Sequence, residues 1–238
     1  GACRLCLVEI EGVEGVPTSC TMPVAEAMVV HIDTERVNKA RRCLIELLLS
    51  DHPENCLTCS KNQRCELQKI TAHLGIDRQR FEKLERPPHI DSSNPFFIRD
   101  SGLCILCGKC VRVCDEVQGV SALEVFHDGR FSKITTGGDK PILESTCESC
   151  GHCVATCPTG ALVPKNYEWP TKTLKTICPY CGVGCGIYLD IRRNNVVGVR
   201  GDSENVVNRG SLCVKGQFGL EFTDHPERLT TPLIRKSG

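Results

Sequence analysis

At 238 residues the chain has room for one or two ordinary domains, yet it carries nineteen cysteines and only 5% aromatic residues. Lysine and arginine together number 29, as do aspartate and glutamate, so composition gives no basic surface for nucleic acid, and no stretch approaches the roughly 18 apolar residues of a membrane span. The odd cysteine count and repeated C-x2-C spacing argue against a secreted disulfide framework, and so meagre a core implies small modules stapled by metal.

The chain opens Gly1-Ala2-Cys3, without a methionine. Cys3-Arg4-Leu5-Cys6 is followed by Cys20, and residues 6–10 alternate like a strand. This segment, 1–34, resembles part of the β-grasp two-iron ferredoxin domain that heads large iron–sulfur subunits. The resemblance implies a [2Fe-2S] cluster on Cys3, Cys6 and Cys20, with a fourth ligand upstream of Gly1. A lost cluster or a small zinc site are the alternatives.

Residues 35–50 read as an amphipathic helix. Val37, Ala40, Leu44, Leu47 and Leu48 share one face, with Arg41, Arg42 and Glu46 outside. Cys43 lies in this helix, belongs to no motif and is assigned to packing.

His52-x3-Cys56-x2-Cys59-x5-Cys65 comes next. Pro53 biases His52 away from helical geometry, into the loop after the helix. Three cysteines lack a fourth partner, and His52 is the candidate. A neutral imidazole in place of a thiolate removes one negative charge and raises the potential. The spacing resembles the His–Cys3 four-iron site of complex I's large iron–sulfur subunit and of iron-only hydrogenases. A short helix bearing Leu67, Ile70 and Leu74 is expected to follow, with His73 as a bystander. The module spans 35–75. Residues 76–95, with Arg86-Pro87-Pro88-His89 near their end, read as a linker.

Two further runs are Cys104-x2-Cys107-x2-Cys110-x3-Cys114 and Cys147-x2-Cys150-x2-Cys153-x3-Cys157-Pro158. This is the bacterial two-cluster ferredoxin pattern written twice, in which the fourth cysteine serves the other cluster. It implies one cubane on Cys104, Cys107, Cys110 and Cys157, and another on Cys147, Cys150, Cys153 and Cys114, within a module at 96–170. Each half is expected to run loop, short helix, strand, with strands at 120–126 and 160–163. His127-Asp128-Gly129-Arg130 offers a hairpin turn before Phe131. Asp115 stands where the pattern usually has proline, and His152 inside the second run is read as a bystander. A pair of zinc sites is the alternative.

The last group is Cys178-Pro179-Tyr180-Cys181-Gly182-Val183-Gly184-Cys185-Gly186, completed by Cys213. The glycines would let backbone N–H groups approach sulfur. Strands are expected at 187–191 and 196–199 around a turn at Asn194-Asn195. The group resembles the small four-iron domain of molybdenum and tungsten bis-pterin oxidoreductases, here 171–238. That resemblance gives Lys215 a role in electron transfer between cluster and pterin; the bland alternative is a solvated surface charge.

The fold class expected is therefore α+β, a string of small iron–sulfur modules. In this order the modules resemble the N-terminal region of the catalytic subunit of cytoplasmic, NAD(P)-linked molybdenum or tungsten formate dehydrogenases. The resemblance implies an oxidoreductase region with four [4Fe-4S] clusters and one [2Fe-2S] cluster, and a molybdenum- or tungsten-bis-pterin site downstream. The resemblance implies that the family's catalytic residues lie downstream of these 238 positions, and the ending at Thr230-Thr231-Pro232 is expected to lead into the pterin domain. Expected partners are flavin- and NAD(P)-binding iron–sulfur subunits, with ferredoxin or a hydrogenase subunit as further candidates. Electrons would run in chain order, from the Cys178 group through the double ferredoxin and the His52 site to the Cys3 end, with branching as an option. The rival readings are a complex I-type large subunit and a stand-alone polyferredoxin-like scaffold. Filled clusters with thiolate ligands would add about nine negative charges to the neutral formal balance.

Overall fold

The computed structural model describes residues 1–78, 80–84 and 89–236. Helices and strands are mixed, and most are short. β1 (Glu9–Ile10) pairs antiparallel with β2 (Val30–His31), and an isolated bridge joins Leu7 to Thr18. The strand expected at 6–10 thus shrinks to its last two residues. Its earlier part is given over to the cysteine loop.

α1 occupies Glu35–Ser50, as the periodicity predicts. Thr34 caps it, accepting from the Val37 amide at 3.2 Å. The buried stripe differs from the expected one. Ile45 and Val37 are fully buried, Leu47 is 46% exposed, and Glu46 is only 2% exposed. Arg80 explains this, because its Nε donates to Glu46 Oε2 at 2.7 Å, so the carboxylate is buried but paired. α2 (Glu66–His73) packs against α1 through Ile45, Leu67 and Cys65, with His73 exposed.

The stretch expected as a linker returns to α1: the Leu84 amide donates to Ser50 O at 2.8 Å. Gln79 and 85–88, which include Arg86-Pro87-Pro88, lie outside the described residues. β3 (Ile90–Asp91), β4 (Phe97–Asp100) and β7 (Leu162–Pro164) form one sheet in the order β3-β4-β7.

The two ferredoxin halves repeat each other at the backbone. α3 (Lys109–Arg112) and α4 (His152–Thr156) each begin after a left-handed glycine, Gly108 at φ 69° and Gly151 at φ 81°. Leu106 and Ser149, just before the second cysteine of each run, are also left-handed. Such strained non-glycine residues cost of order 1–3 kcal/mol and persist only where the surroundings demand them.

The halves diverge at their fourth cysteine. Cys157 is extended, as a residue before proline must be. Cys114, followed by Asp115, instead continues into a π-helical turn, Val113–Val117. β5 (Glu124–Phe126) pairs with β6 (Lys133–Thr135), so the connection is longer than the four-residue turn expected and leaves Phe131 outside the strands.

The last sheet is antiparallel, ordered β10-β9-β8, with β8 Lys172–Ile177, β9 Gly186–Arg192 and β10 Asn195–Gly201. The turn falls at Arg193-Asn194, both left-handed, one residue before the position expected. α5 (Val214–Phe218) starts immediately after Cys213.

Candidate iron–sulfur cluster sites

Cys104, Cys107, Cys110 and Cys157 line one pocket of about 480 Å³, walled by Leu123, Ile134, Ala161 and Leu162. The Cys110 thiol is pushed up to about 12 by burial and by Cys104, Cys157 and Cys107 around it. Cys114, Cys147, Cys150 and Cys153 line a second pocket of about 370 Å³. There Cys153 is raised well above an ordinary thiol by burial, by Cys110 of the first group and by its three neighbours. Each run therefore lends its fourth cysteine to the other group. Crossing follows from the chain path, since α3 and α4 pack against one another.

Thiols as buried and crowded as Cys110 and Cys153 resist ionising. A cationic core would draw them into the thiolate form, and the irons of an iron–sulfur cluster accept such sulfur donors. Backbone amides are already aimed at the sulfurs. Leu106 N lies 3.4 Å from Cys104 Sγ, Ser149 N 3.4 Å from Cys147 Sγ, and Ala122 N 3.3 Å from Cys114 Sγ. The residues that carry the first two of these amides, Leu106 and Ser149, are both left-handed. Among the described residues no three His, Cys, Asp or Glu side chains stand close enough to hold a single metal ion. A cluster asks less of its ligands, because each binds a different iron.

Cys56, Cys59 and Cys65 form a third group: Cys65 is raised by burial and by both of the others. Cys65 caps α2, and Cys59 follows a turn whose amide bonds to Asn55 O and Cys56 O. His52 is 9% exposed. Its Nδ1 lies 3.0 Å from Pro53 O. A carbonyl only accepts, so Nδ1 carries the hydrogen, and Nε2 is left as a buried acceptor with no hydrogen-bond partner. Burial, with Lys83 nearby, pulls the imidazole below its usual value against the opposing pulls of the Pro53 and Leu103 backbones and of Asp51. A neutral imidazole with one nitrogen anchored on a carbonyl and the other bare is the form that binds metal.

Cys178, Cys181, Cys185 and Cys213 make the fourth group: Cys185 is raised by burial and by the other three. The Cys178 amide donates to Cys185 O at 2.8 Å, closing the loop. Gly184 supplies a left-handed turn, and Gly186 leaves room for the Asn205 side chain. Lys215 is exposed, with Nζ 6.0 Å from the Tyr180 ring centroid in the ligand loop.

At the start of the chain Cys6 and Cys20 meet. Burial pushes the Cys6 thiol up, but the Cys20 amide and thiol and Ser19 outweigh it and hold it below its ordinary value. The Cys107 thiol of the ferredoxin is raised by burial, with Cys157 and Cys3 adding to it, and a Cβ on Gly108 would lie 4.0 Å from Ala2 Cβ. The first segment thus rests directly on the ferredoxin, and chain order does not describe adjacency.

The third group rests there too. The Glu66 amide donates to Pro158 O at 2.9 Å, and a Cβ on Gly160 would strike Cys59 Sγ at 2.7 Å. Lys61, which no motif singled out, lies between these groups. Burial pulls its amine down, while Cys157 and Cys65 pull it up. Its position inside the Cys59–Cys65 spacing was the available signal. Asp190, also unremarked in the sequence, is met by Arg64 at 2.9 Å and Arg200 at 3.0 Å, tying the third module to the last sheet.

Four family models match in succession. A 2Fe-2S iron-sulfur cluster binding domain covers residues 1–35, and an NADH-ubiquinone oxidoreductase-G iron-sulfur binding region covers 41–80. A 4Fe-4S dicluster domain covers 103–161, and a molybdopterin oxidoreductase Fe4S4 domain covers 171–225. The second G-type subunit of the NADH-quinone oxidoreductase of Rhizobium meliloti is 38% identical over all of this chain and 28% of its own length. NADPH-Fe(3+) oxidoreductase subunit alpha of Geobacter sulfurreducens is 36% identical over 99% of this chain and 28% of its own. A putative formate dehydrogenase of Staphylococcus aureus is 28% identical, with the same 28% share. The chain thus spans little more than a quarter of the length of these relatives. A crystal structure of an NAD+-reducing [NiFe]-hydrogenase superposes with a TM-score of 0.66 at 29% identity, covering 72% of this chain and 73% of that one.

Proposed function

We propose that this chain, an iron–sulfur region of the NADH-quinone oxidoreductase-G and molybdopterin oxidoreductase family, conducts electrons between a metal–pterin formate site and a flavin- and NAD(P)-binding partner. Bound iron–sulfur clusters would supply the one-electron chemistry; the chain's own residues hold, space and insulate them. The observation that carries this reading is the run of cysteine groups ending in a molybdopterin oxidoreductase Fe4S4 domain at 171–225.

In this reading Cys104, Cys107, Cys110 and Cys157 hold one cubane, and Cys147, Cys150, Cys153 and Cys114 a second. Cys178, Cys181, Cys185 and Cys213 hold the cubane beside the pterin, with Lys215 on that side. His52 joins Cys56, Cys59 and Cys65 through Nε2. Cys3, Cys6 and Cys20 hold the two-iron cluster that faces the flavin partner. Because Ala2–Cys3 and Cys59 both abut the ferredoxin, the His52 site need not lie between it and the two-iron end.

The greater identity to the NADH-quinone oxidoreductase G-type relative than to the formate dehydrogenases favours a second reading, a complex I-type subunit fed by NADH. Metal analysis and cluster reduction in the full-length protein separate the two. Molybdenum or tungsten, with bleaching of the cluster absorption by formate, is the expected result. Reduction by NADH alone, in a protein without either metal, would sink the formate reading and leave the second.

A further inference from the structure

His152 sits between Cys150 and Cys153 as the first residue of α4. Both of its ring nitrogens are engaged. Nε2 lies 2.8 Å from Leu212 O, and Nδ1 lies 3.0 Å from the Gln118 side-chain amide. Leu212 O can only accept, so Nε2 donates to it and Nδ1 accepts from Gln118. The two contacts thereby set Nε2 as donor and Nδ1 as acceptor. Leu212 is 3% exposed and directly precedes Cys213.

One residue earlier, Gly151 is covered by the far end of α5. A Cβ there would meet Phe218 Cε2 at 2.6 Å and Gln217 Cγ at 2.9 Å. Phe218 in turn stacks on Phe96, centroids 5.0 Å apart and planes 6° from parallel. α5 therefore leaves one candidate ligand, Cys213, and ends on the loop that carries Cys150 and Cys153.

We propose that His152 is a positioning residue for electron exchange between the Cys147/Cys150/Cys153/Cys114 site and the Cys178/Cys181/Cys185/Cys213 site, through its hydrogen bond to Leu212 O. The link runs from the Cys153 backbone through the imidazole to Leu212 and Cys213, with one hydrogen bond and otherwise covalent bonds. Gln118 holds the ring in the donating tautomer. One electron crosses, one site is oxidised and its neighbour reduced by one charge, no bond forms or breaks, and no proton leaves the ring. The proposal rests on the reading that both sites carry cubanes.

The test uses the cluster-loaded full-length protein and its His152→Phe, His152→Gln and Gln118→Leu variants. Iron content, both midpoint potentials, the spin–spin splitting of the paired reduced signals, and the exchange rate after flash reduction are measured. His152→Phe should keep its iron and exchange about tenfold more slowly, the lower end of the effect of losing an outer-shell partner. His152→Gln, which can still donate to Leu212 O, should recover most of the rate. If His152→Phe loses iron, Gln118→Leu decides, since it leaves His152 and all ligands in place: slowed exchange supports the role and an unchanged rate overturns it. Full iron with unchanged rate and splitting in His152→Phe would likewise reduce His152 to a structural latch. A wild-type protein without a cubane at Cys178/Cys181/Cys185/Cys213 would overturn the cofactor reading instead.

Discussion

His52 is presented to its site by a hydrogen bond to its own neighbour. With Nδ1 tied to Pro53 O and Nε2 buried without a hydrogen-bond partner, the ring already has the tautomer that the proposed ligation through Nε2 would use. Substituting His52→Cys should keep the cubane but add one negative charge, lowering its potential by on the order of 100 mV. A redox titration followed by EPR reads this, and an unchanged spectrum and potential would count against ligation. Asp190 is the residue-scale counterpart in the scaffold. Burial pushes its carboxyl up, yet Arg200, Thr173 and Arg64 outweigh that and hold it below the ordinary range. The stabilisation is therefore present above the unfolded value near ~4 and is lost as pH falls through the lowered folded value. Asp190→Asn should cost about 3 kcal/mol at neutral pH. Urea unfolding should show the gap from the native chain narrowing as the solution is acidified through the carboxylate range.

Among the elements, α1 was legible because 16 residues with a capping threonine carry several turns of periodicity. Its buried face was not, because the partner of Glu46 is Arg80, 34 positions away, and spacing cannot report that. β8 went unseen for a related reason. All six of its residues are exposed, so no alternation marks it, and only pairing with β9 makes it a strand. The turn before β10 slipped by one residue because either asparagine could take the left-handed conformation, and Arg193 with Asn194 took it. At the far end of β10, Gly201 faces a contact no sequence pattern reveals. A Cβ there would run into Gly210 O, a backbone atom with little room to retreat. Gly201→Ala should destabilise the last module by about 3 kcal/mol and strip iron first from the Cys178/Cys181/Cys185/Cys213 site, as cluster-resolved EPR would show.

At the scale of the whole molecule, several candidate ligands are built into the cores. Cys110, Cys153 and Cys157 pack with Phe97, Leu123, Ile142 and Leu162; Cys178 packs with Ile187 and Leu212; Cys65 packs with Ile45 and Leu67. A fold assembled around thiols should not survive loss of the ions that draw them together. Removing iron with a chelator under reducing conditions should abolish cooperative unfolding by circular dichroism, and iron and sulfide added back should restore it. A chelated protein that still unfolds cooperatively would mean the cores stand without metal.

Cysteine spacing alone divided the cysteines into runs and marked His52 as a candidate; the crossing of the fourth cysteines was implied by resemblance to the two-cluster ferredoxin pattern, and the packing of α3 on α4 brings it about. Ligand spacing is a local constraint, written within a few residues and repeated whenever the chemistry recurs. The tertiary structure decided which groups adjoin. It set Ala2–Cys3 and Cys59 both against the ferredoxin, placed Phe218 on Gly151, and turned His152 from an incidental histidine into a bonded link to Leu212. Those contacts join residues tens of positions apart through packing, which no spacing within a motif encodes.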